Sequence, residues 1–163
     1  MYAFNPLAKI LDPGAKVFEQ AKEGDAGFDV WAYESGVIPS QGMARFRTGI
    51  ATAFQPNWVG LILDRGGWGF KGLMRQAGVV DSNYRDEWLV QIYNSSGHSW
   101  PIEGVKDNPK AKALCQVVFC LCATEPFKVV DVLPSSIRQA AFGSSDHGSA
   151  GLTADDMFKE VGK

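Results

Sequence analysis

Apolar and polar residues alternate along much of this chain in short runs, each closed by Gly, Pro, Asn or Asp. A period of two marks strands with one face buried. Residues 37–38 lead into Pro39-Ser40-Gln41-Gly42, and residues 44–54 then alternate as a half-buried strand. Gln55-Pro56-Asn57 marks a turn before a strand at 58–63. Residues 78–94 read as an apolar strand, a tight polar turn and a second strand, a β-hairpin by pattern. A polar loop at 95–112 follows, then strands at 115–123 and 128–133. Residues 73–77 hint at a helical turn, and 154–161 at another. No internal repeat or linker is visible. Regularly spaced short strands predict an all-β fold, a sandwich or barrel of jelly-roll type with little helix.

A chain of 163 residues is about one domain and long enough for a sizeable core. A formal net charge of -2 argues against coating nucleic acid or an anionic membrane. No apolar run approaches the ~20 residues of a membrane span, and Met1-Tyr2-Ala3-Phe4-Asn5-Pro6 lacks the pattern of a secretory signal. A reducing cytoplasm is the expected compartment. Cys115, Cys120 and Cys122 lie in one apolar stretch, the last two on one strand face as buried small hydrophobes. They lack CxxC spacing, so a structural zinc is not expected. Asn94-Ser95-Ser96 matches a glycosylation sequon by chance. The Gly- and Ser-rich segment beyond about residue 141 reads from composition as a disordered terminus.

The candidate chemistry gathers at residues 78–94. Asp81 and Tyr84 offer a carboxylate and a flat ring three residues apart, and Gly78 just ahead lets backbone approach a bound group. Taken alone, Asp81 caps its own turn as readily as it meets a ligand. The stretch closely resembles the third motif of the trimeric dUTPases, G-V-I-D-x-x-Y-x-G-E. The family's other motifs have counterparts in order. Residues 25–32 (DAGFDVWA) resemble D-A-G-x-D-L-x-A, and residues 64–72 (DRGGWGFKG) are similar to P-R-S-S/G-L-x-x-K. Residues 114–119 (LCQVVF) resemble R-I-A-Q-L-V, and Arg138 with Phe142-Gly143-Ser144-Ser145 resembles the fifth motif.

The resemblance implies hydrolysis of dUTP to dUMP and pyrophosphate with Mg²⁺, by a homotrimer whose sites combine motifs from three subunits. It implies that Asp81 orients the water attacking the α-phosphorus, and that Tyr84 lies under the deoxyribose, leaving no room for a 2′-hydroxyl. Backbone at Gly78 and Val79 would pair with the base edge. Asp29 would anchor waters around Mg²⁺, or else be a plain turn residue. Gln116, polar in an apolar strand, would contact phosphate or metal-bound water. Arg65 and Lys71 flank Gly66 and Gly67, a combination suited to phosphates. The chain would divide into a β domain at 1–141 and a mobile arm at 142–163 that orders over nucleotide. In the fifth motif Arg138 would clamp phosphate, Phe142 would stack on the base, and Ser144 and Ser145 would add contacts; His147 is the alternative stacking residue.

Three departures stand out. Gly66 replaces a serine whose hydroxyl contacts phosphate. Arg75 stands where relatives often carry an amide near the base. Ala113 replaces a basic residue, with Lys110 or Lys112 as candidate substitutes. These changes leave three rivals open: a dCTP deaminase, a hydrolase of a modified pyrimidine dNTP, or a nucleotide-sensing protein without turnover.

Overall fold

Short alternating runs punctuated by turn residues have limited choices, and in the computed structural model they form strands almost everywhere. The structure describes residues 4–123 and Pro126. Except for Pro126 these lie in the first of two units, Met1–Thr124 and Glu125–Lys163. The 141/142 boundary, the strand at 128–133 and the helical turn at 154–161 fall outside the described residues. In chain order the strands are β1 (Leu7–Ile10), β2 (Phe28–Val30), β3 (Gly36–Ile38), β4 (Met43–Arg47), β5 (Ile50–Ala53) and β6 (Trp58–Leu63). A helical turn α1 (Gly66–Gly69) precedes β7 (Leu73–Gln76), β8 (Val79–Asp81), β9 (Leu89–Asn94), β10 (Trp100–Ile102) and β11 (Cys115–Leu121). A four-stranded sheet runs β2-β11-β6-β8 and a three-stranded sheet β4-β9-β7; β1 pairs with β5 and β10 with β3. Every pairing is antiparallel. The expected all-β class holds.

The inward residues of these strands build one main core, including Val30, Ile38, Ile62, Val90, Cys115 and Val117. Trp88 is its largest fully buried side chain. Its indole N–H donates to Thr52 Oγ1 (3.0 Å), its backbone N–H to the Ile50 carbonyl (2.9 Å), and its carbonyl accepts Thr48 Oγ1 (2.9 Å). Burying an aromatic of this size removes a large apolar area from water, and satisfying its one polar group avoids the desolvation penalty. Trp88 thereby pins the segment that leads from Asp81 to β9.

That segment is where the hairpin expectation fails. β8 pairs with β6, whereas β9 pairs with β4 and β7, so the two strands lie in different sheets. The bend is an arch between sheets, and Trp88, anchored in the core, turns β9 away from β8. Residues 44–54 likewise form two strands. Gly49 at φ 70° turns the chain between β4 and β5, a conformation that costs glycine little. Residues 73–77 are mostly strand, with Leu73 buried and Met74 exposed in β7; the helical turn lies earlier, at α1. Trp100 to Ile102 add a strand within the predicted polar loop. Cys115 is buried, whereas Cys120 and Cys122 are half-buried and Cys122 lies past the end of β11. Asn94 is wholly buried, donating to the Pro39 and His98 carbonyls and accepting from Ser96, so the sequon is closed in the folded chain.

Candidate active site

Asp81 ends β8, an edge strand of the four-stranded sheet. Alternation buries Val80 and exposes Val79 and Asp81 on the opposite face. Because β6 covers only one edge of β8, the other edge leaves backbone groups open to a ligand. Ala77 and Gly78, both at positive φ (62° and 127°), set this edge. A Cβ at Gly78 would stand 3.0 Å from the Ile62 carbonyl oxygen, so the corner needs glycine. Asp81, Tyr84, Gly78, Val79 and Arg75 line one cavity of about 420 Å³, together with Arg45 and Trp88. The Tyr84 hydroxyl donates to the Glu87 carbonyl (3.1 Å) and its backbone N–H to that of Asp81 (3.1 Å). The ring is therefore held on the same bend as the carboxylate. Arg75 Nη1 donates to the Ala77 carbonyl (2.7 Å), which keeps its guanidinium folded against the corner.

A second group forms at the other side of the same sheet. Gln116 on β11 is the register partner of Asp29 on β2 and of Leu63 on β6. Asp29 Oδ1 accepts an ion pair from Arg65 Nε at 3.1 Å, with the Asp29 side chain 16% exposed. Gln116 Nε2 donates to the Asp64 carbonyl (2.9 Å), which aims the amide along the start of the Gly-rich turn. Asp29, Arg65, Gly66, Gln116 and Asp25 line a cavity of about 440 Å³. Arg65, Gly66, Gly67, Trp68, Lys71 and Lys112 line a neighbouring one of about 360 Å³. Gly66 and Gly67 occupy the first positions of α1, where backbone N–H groups lack helical partners.

Most of the site residues expected from the sequence thus fall into two groups. On the register, Asp29 and Asp81 are three strand spacings and four residues apart, about 20 Å. One chain does not bring them together. Arg138, Phe142, Ser144 and Ser145, with His147, lie outside the described residues. Two contributors lie inside the quoted motif stretches but were given no role from the sequence. Gly27 leaves room for the Gln116 amide, since a Cβ there would clash with Gln116 Oε1. Asp64 accepts the Arg75 backbone N–H on its carboxylate (2.7 Å) and Gln116 on its carbonyl, so it ties the two groups through β7. The glycine of the D-A-G stretch and an aspartate in place of the second motif's proline were the available signals.

A sequence model described as dUTPase matches residues 14–148, most of the chain. The chain belongs to the dUTPase family. It is 32% identical over 151 residues to the deoxyuridine 5′-triphosphate nucleotidohydrolase of Mycobacterium marinum, covering 90% of this chain and 96% of that protein. It is 30% identical over 147 residues to the enzyme of that name from Paramecium bursaria Chlorella virus 1, covering 90% and 97%. In fold it is similar to a mutant of the Staphylococcus bacteriophage 80alpha dUTPase with dUpNHpp (TM-score 0.73, 23% identity, 91% of this chain and 99% of that one). It is also similar to a mutant dUTPase from phage phi11 of S. aureus, described with a structural Mg(II) ion (TM-score 0.71, 22% identity, 80% and 99%). These likenesses establish the jelly-roll-like β class.

Against the dUTPase motifs, the structure accounts locally for Ala113 but not for Gly66. At Gly66 neither steric crowding nor a positive φ requires glycine, because a Cβ there meets nothing within 4 Å. Ala113 is buried, and its carbonyl accepts both Arg65 Nη1 (3.3 Å) and Trp68 Nε1 (2.9 Å). A long basic side chain at 113 has no space there, and Lys112, exposed next door, lines the cavity of about 360 Å³ instead. Lys110 does not line it.

Proposed function

We propose that this dUTPase-family chain is a dUTP diphosphatase, releasing dUMP and pyrophosphate, and that each active site is assembled from three copies. The separation of about 20 Å between Asp81 and Asp29 within one chain carries this reading. A neighbouring copy supplies the missing half, as a cyclic homotrimer does. Uracil lies along the open edge of β8 at Gly78 and Val79, where backbone polar groups distinguish its edge from that of cytosine. Tyr84 packs under the deoxyribose, and Arg75 sits beside the base. Asp81 takes the proton of the water that attacks the α-phosphorus, and the bond to the bridging oxygen breaks to release pyrophosphate.

Arg65, Lys71 and Lys112, with the N–H groups of Gly66 and Gly67, receive the phosphates. The hard oxygen donors of Asp29 and Gln116 fit Mg²⁺, which keeps most of its waters and is held through carboxylate and phosphate. When bound, the ion neutralises charge on the phosphate oxygens. By the family resemblance, Arg138 would add a further cation, Phe142 would stack on the base, and Ser144 and Ser145 would contact the nucleotide. The three free cysteines accord with a reducing cytoplasm. Among the described residues no helix is long and apolar enough to cross a membrane. Product analysis with dUTP, dCTP, dTTP, UTP and 5-substituted dUTP tests the reading. Pyrophosphate from dUTP, far ahead of the others, is expected. Ammonia from dCTP, or no turnover of any nucleotide, contradicts it.

A further inference from the structure

Lys71 is exposed, yet its ammonium is not left to wander. Its Nζ lies 4.7 Å from the ring centroid of Trp68 and 4.6 Å from that of Trp100. The two rings meet edge to face, with centroids 6.3 Å apart and planes at 77°. Each indole is itself fixed by its N–H: Trp68 donates to the Ala113 carbonyl (2.9 Å) and Trp100 to Ser96 Oγ (3.0 Å). Ser96 Oγ in turn donates to Oδ1 of the wholly buried Asn94 (2.6 Å), so the second ring is registered to the core. Among the described residues Lys71 forms no ion pair.

The choice of aromatic partners has a chemical consequence. A carboxylate would fix Lys71 but neutralise it and compete with an incoming phosphate. The negative faces of aromatic rings attract the ammonium and leave its full charge available. A flexible four-carbon stem held this way loses less freedom when an anion arrives. We propose that Trp68 and Trp100 are positioning residues, a paired aromatic clamp that presents the Lys71 ammonium to the β- and γ-phosphates of the nucleotide. This rests on the reading of Lys71 as a phosphate ligand. Trp68 lines the cavity itself, whereas Trp100 does not, so an effect of Trp100 on phosphate binding passes through Lys71 or through Trp68, two routes that a Lys71→Ala background separates.

Pyrophosphate binding in the presence of Mg²⁺, measured by calorimetry on the full chain, tests the clamp through a double-mutant cycle. Trp100→Leu is expected to weaken binding about three- to tenfold, and Trp100→Phe, which keeps an aromatic face, to recover most of it. In a Lys71→Ala background, Trp100→Leu should have no further effect. Thermal melting of each variant reports folding separately. Equal weakening by Trp100→Leu in both backgrounds, or no weakening in a folded variant while Lys71→Ala does weaken binding, overturns the clamp alone. If Lys71→Ala binds pyrophosphate as the parent does, the phosphate role of Lys71 falls first and the clamp with it.

Discussion

Arg65 Nε stands 3.1 Å from Asp29 Oδ1, so the cation assigned to phosphate is aligned by the carboxylate assigned to the metal's waters. The same guanidinium reaches the Ala113 carbonyl through Nη1. One planar group therefore links β2, α1 and the approach to β11, with its remaining N–H groups available to a phosphate. Asp29 orients Arg65 in this arrangement, and under the proposed reading it would also hold hydrated Mg²⁺.

Arg65→Lys should lower kcat/KM by about tenfold or more, although the charge is retained. A lysine gathers its three N–H donors on one nitrogen and cannot span the separate positions that Nε and Nη1 of Arg65 occupy at Asp29 and Ala113 while also meeting a phosphate oxygen. Steady-state kinetics on a variant with unchanged melting temperature measures this. Parental kinetics would show that the fork geometry is irrelevant.

Gly66→Ser should raise turnover. The position is open and free of a left-handed φ, so a serine side chain fits without strain. One added hydroxyl at a charge-stabilising contact is worth up to about a hundredfold in rate. A drop in kcat would mean that the Gly66-Gly67 backbone already fills that role and that a side chain obstructs it.

Burial pushes the Cys115 thiol well above its ordinary range. The folded chain favours the protonated thiol, so this contribution is fully present below the unfolded-state value of about 8.5 and is lost as pH rises above it. Melting temperatures between pH 8 and 10 should therefore fall more steeply for the parent than for Cys115→Ala. Parallel slopes would contradict the assignment. Native-state alkylation at pH 8 should likewise spare Cys115.

Much of this was legible in the sequence because strands announce themselves by alternation and turns by glycine and proline. β6 and β11 fell where the pattern put them, and Gln116 stood out as a polar residue in an apolar run. The hairpin was misread because alternation describes a strand's faces and says nothing of its partner. β9 pairs instead with β4 and β7, and buried Trp88, bonded to Thr52, Ile50 and Thr48, holds the chain on that course. Residues 73–77 misled for a related reason, since a run this short carries too little periodicity to separate strand from helix. The site was legible as residue types, but its division into two groups follows from strand order, which long-range pairing sets. The Gly27–Gln116 packing and the Trp68–Lys71–Trp100 contacts were invisible for the same reason.

If sites are shared between copies, two defective chains should rescue each other. Arg65→Ala and Asp81→Asn each remove one half of the site, and the halves lie about 20 Å apart in one chain. Unfolding and refolding the two as a mixture should recover roughly a quarter of parental activity, the fraction of randomly assembled sites drawing both intact halves. Activity no higher than that of the separate variants would place each whole site within one chain.

The most direct test of the account is pyrophosphate release from dUTP by the parent and by Asp81→Asn, measured side by side with binding of a non-hydrolysable dUTP analogue. The amide keeps the shape of the carboxylate and cannot take the proton of the attacking water. The parent should release pyrophosphate, and Asp81→Asn should be slower by about a hundredfold or more with binding nearly unchanged. An Asn variant keeping more than about a tenth of parental turnover, or a parent that binds dUTP and releases no pyrophosphate, would contradict it.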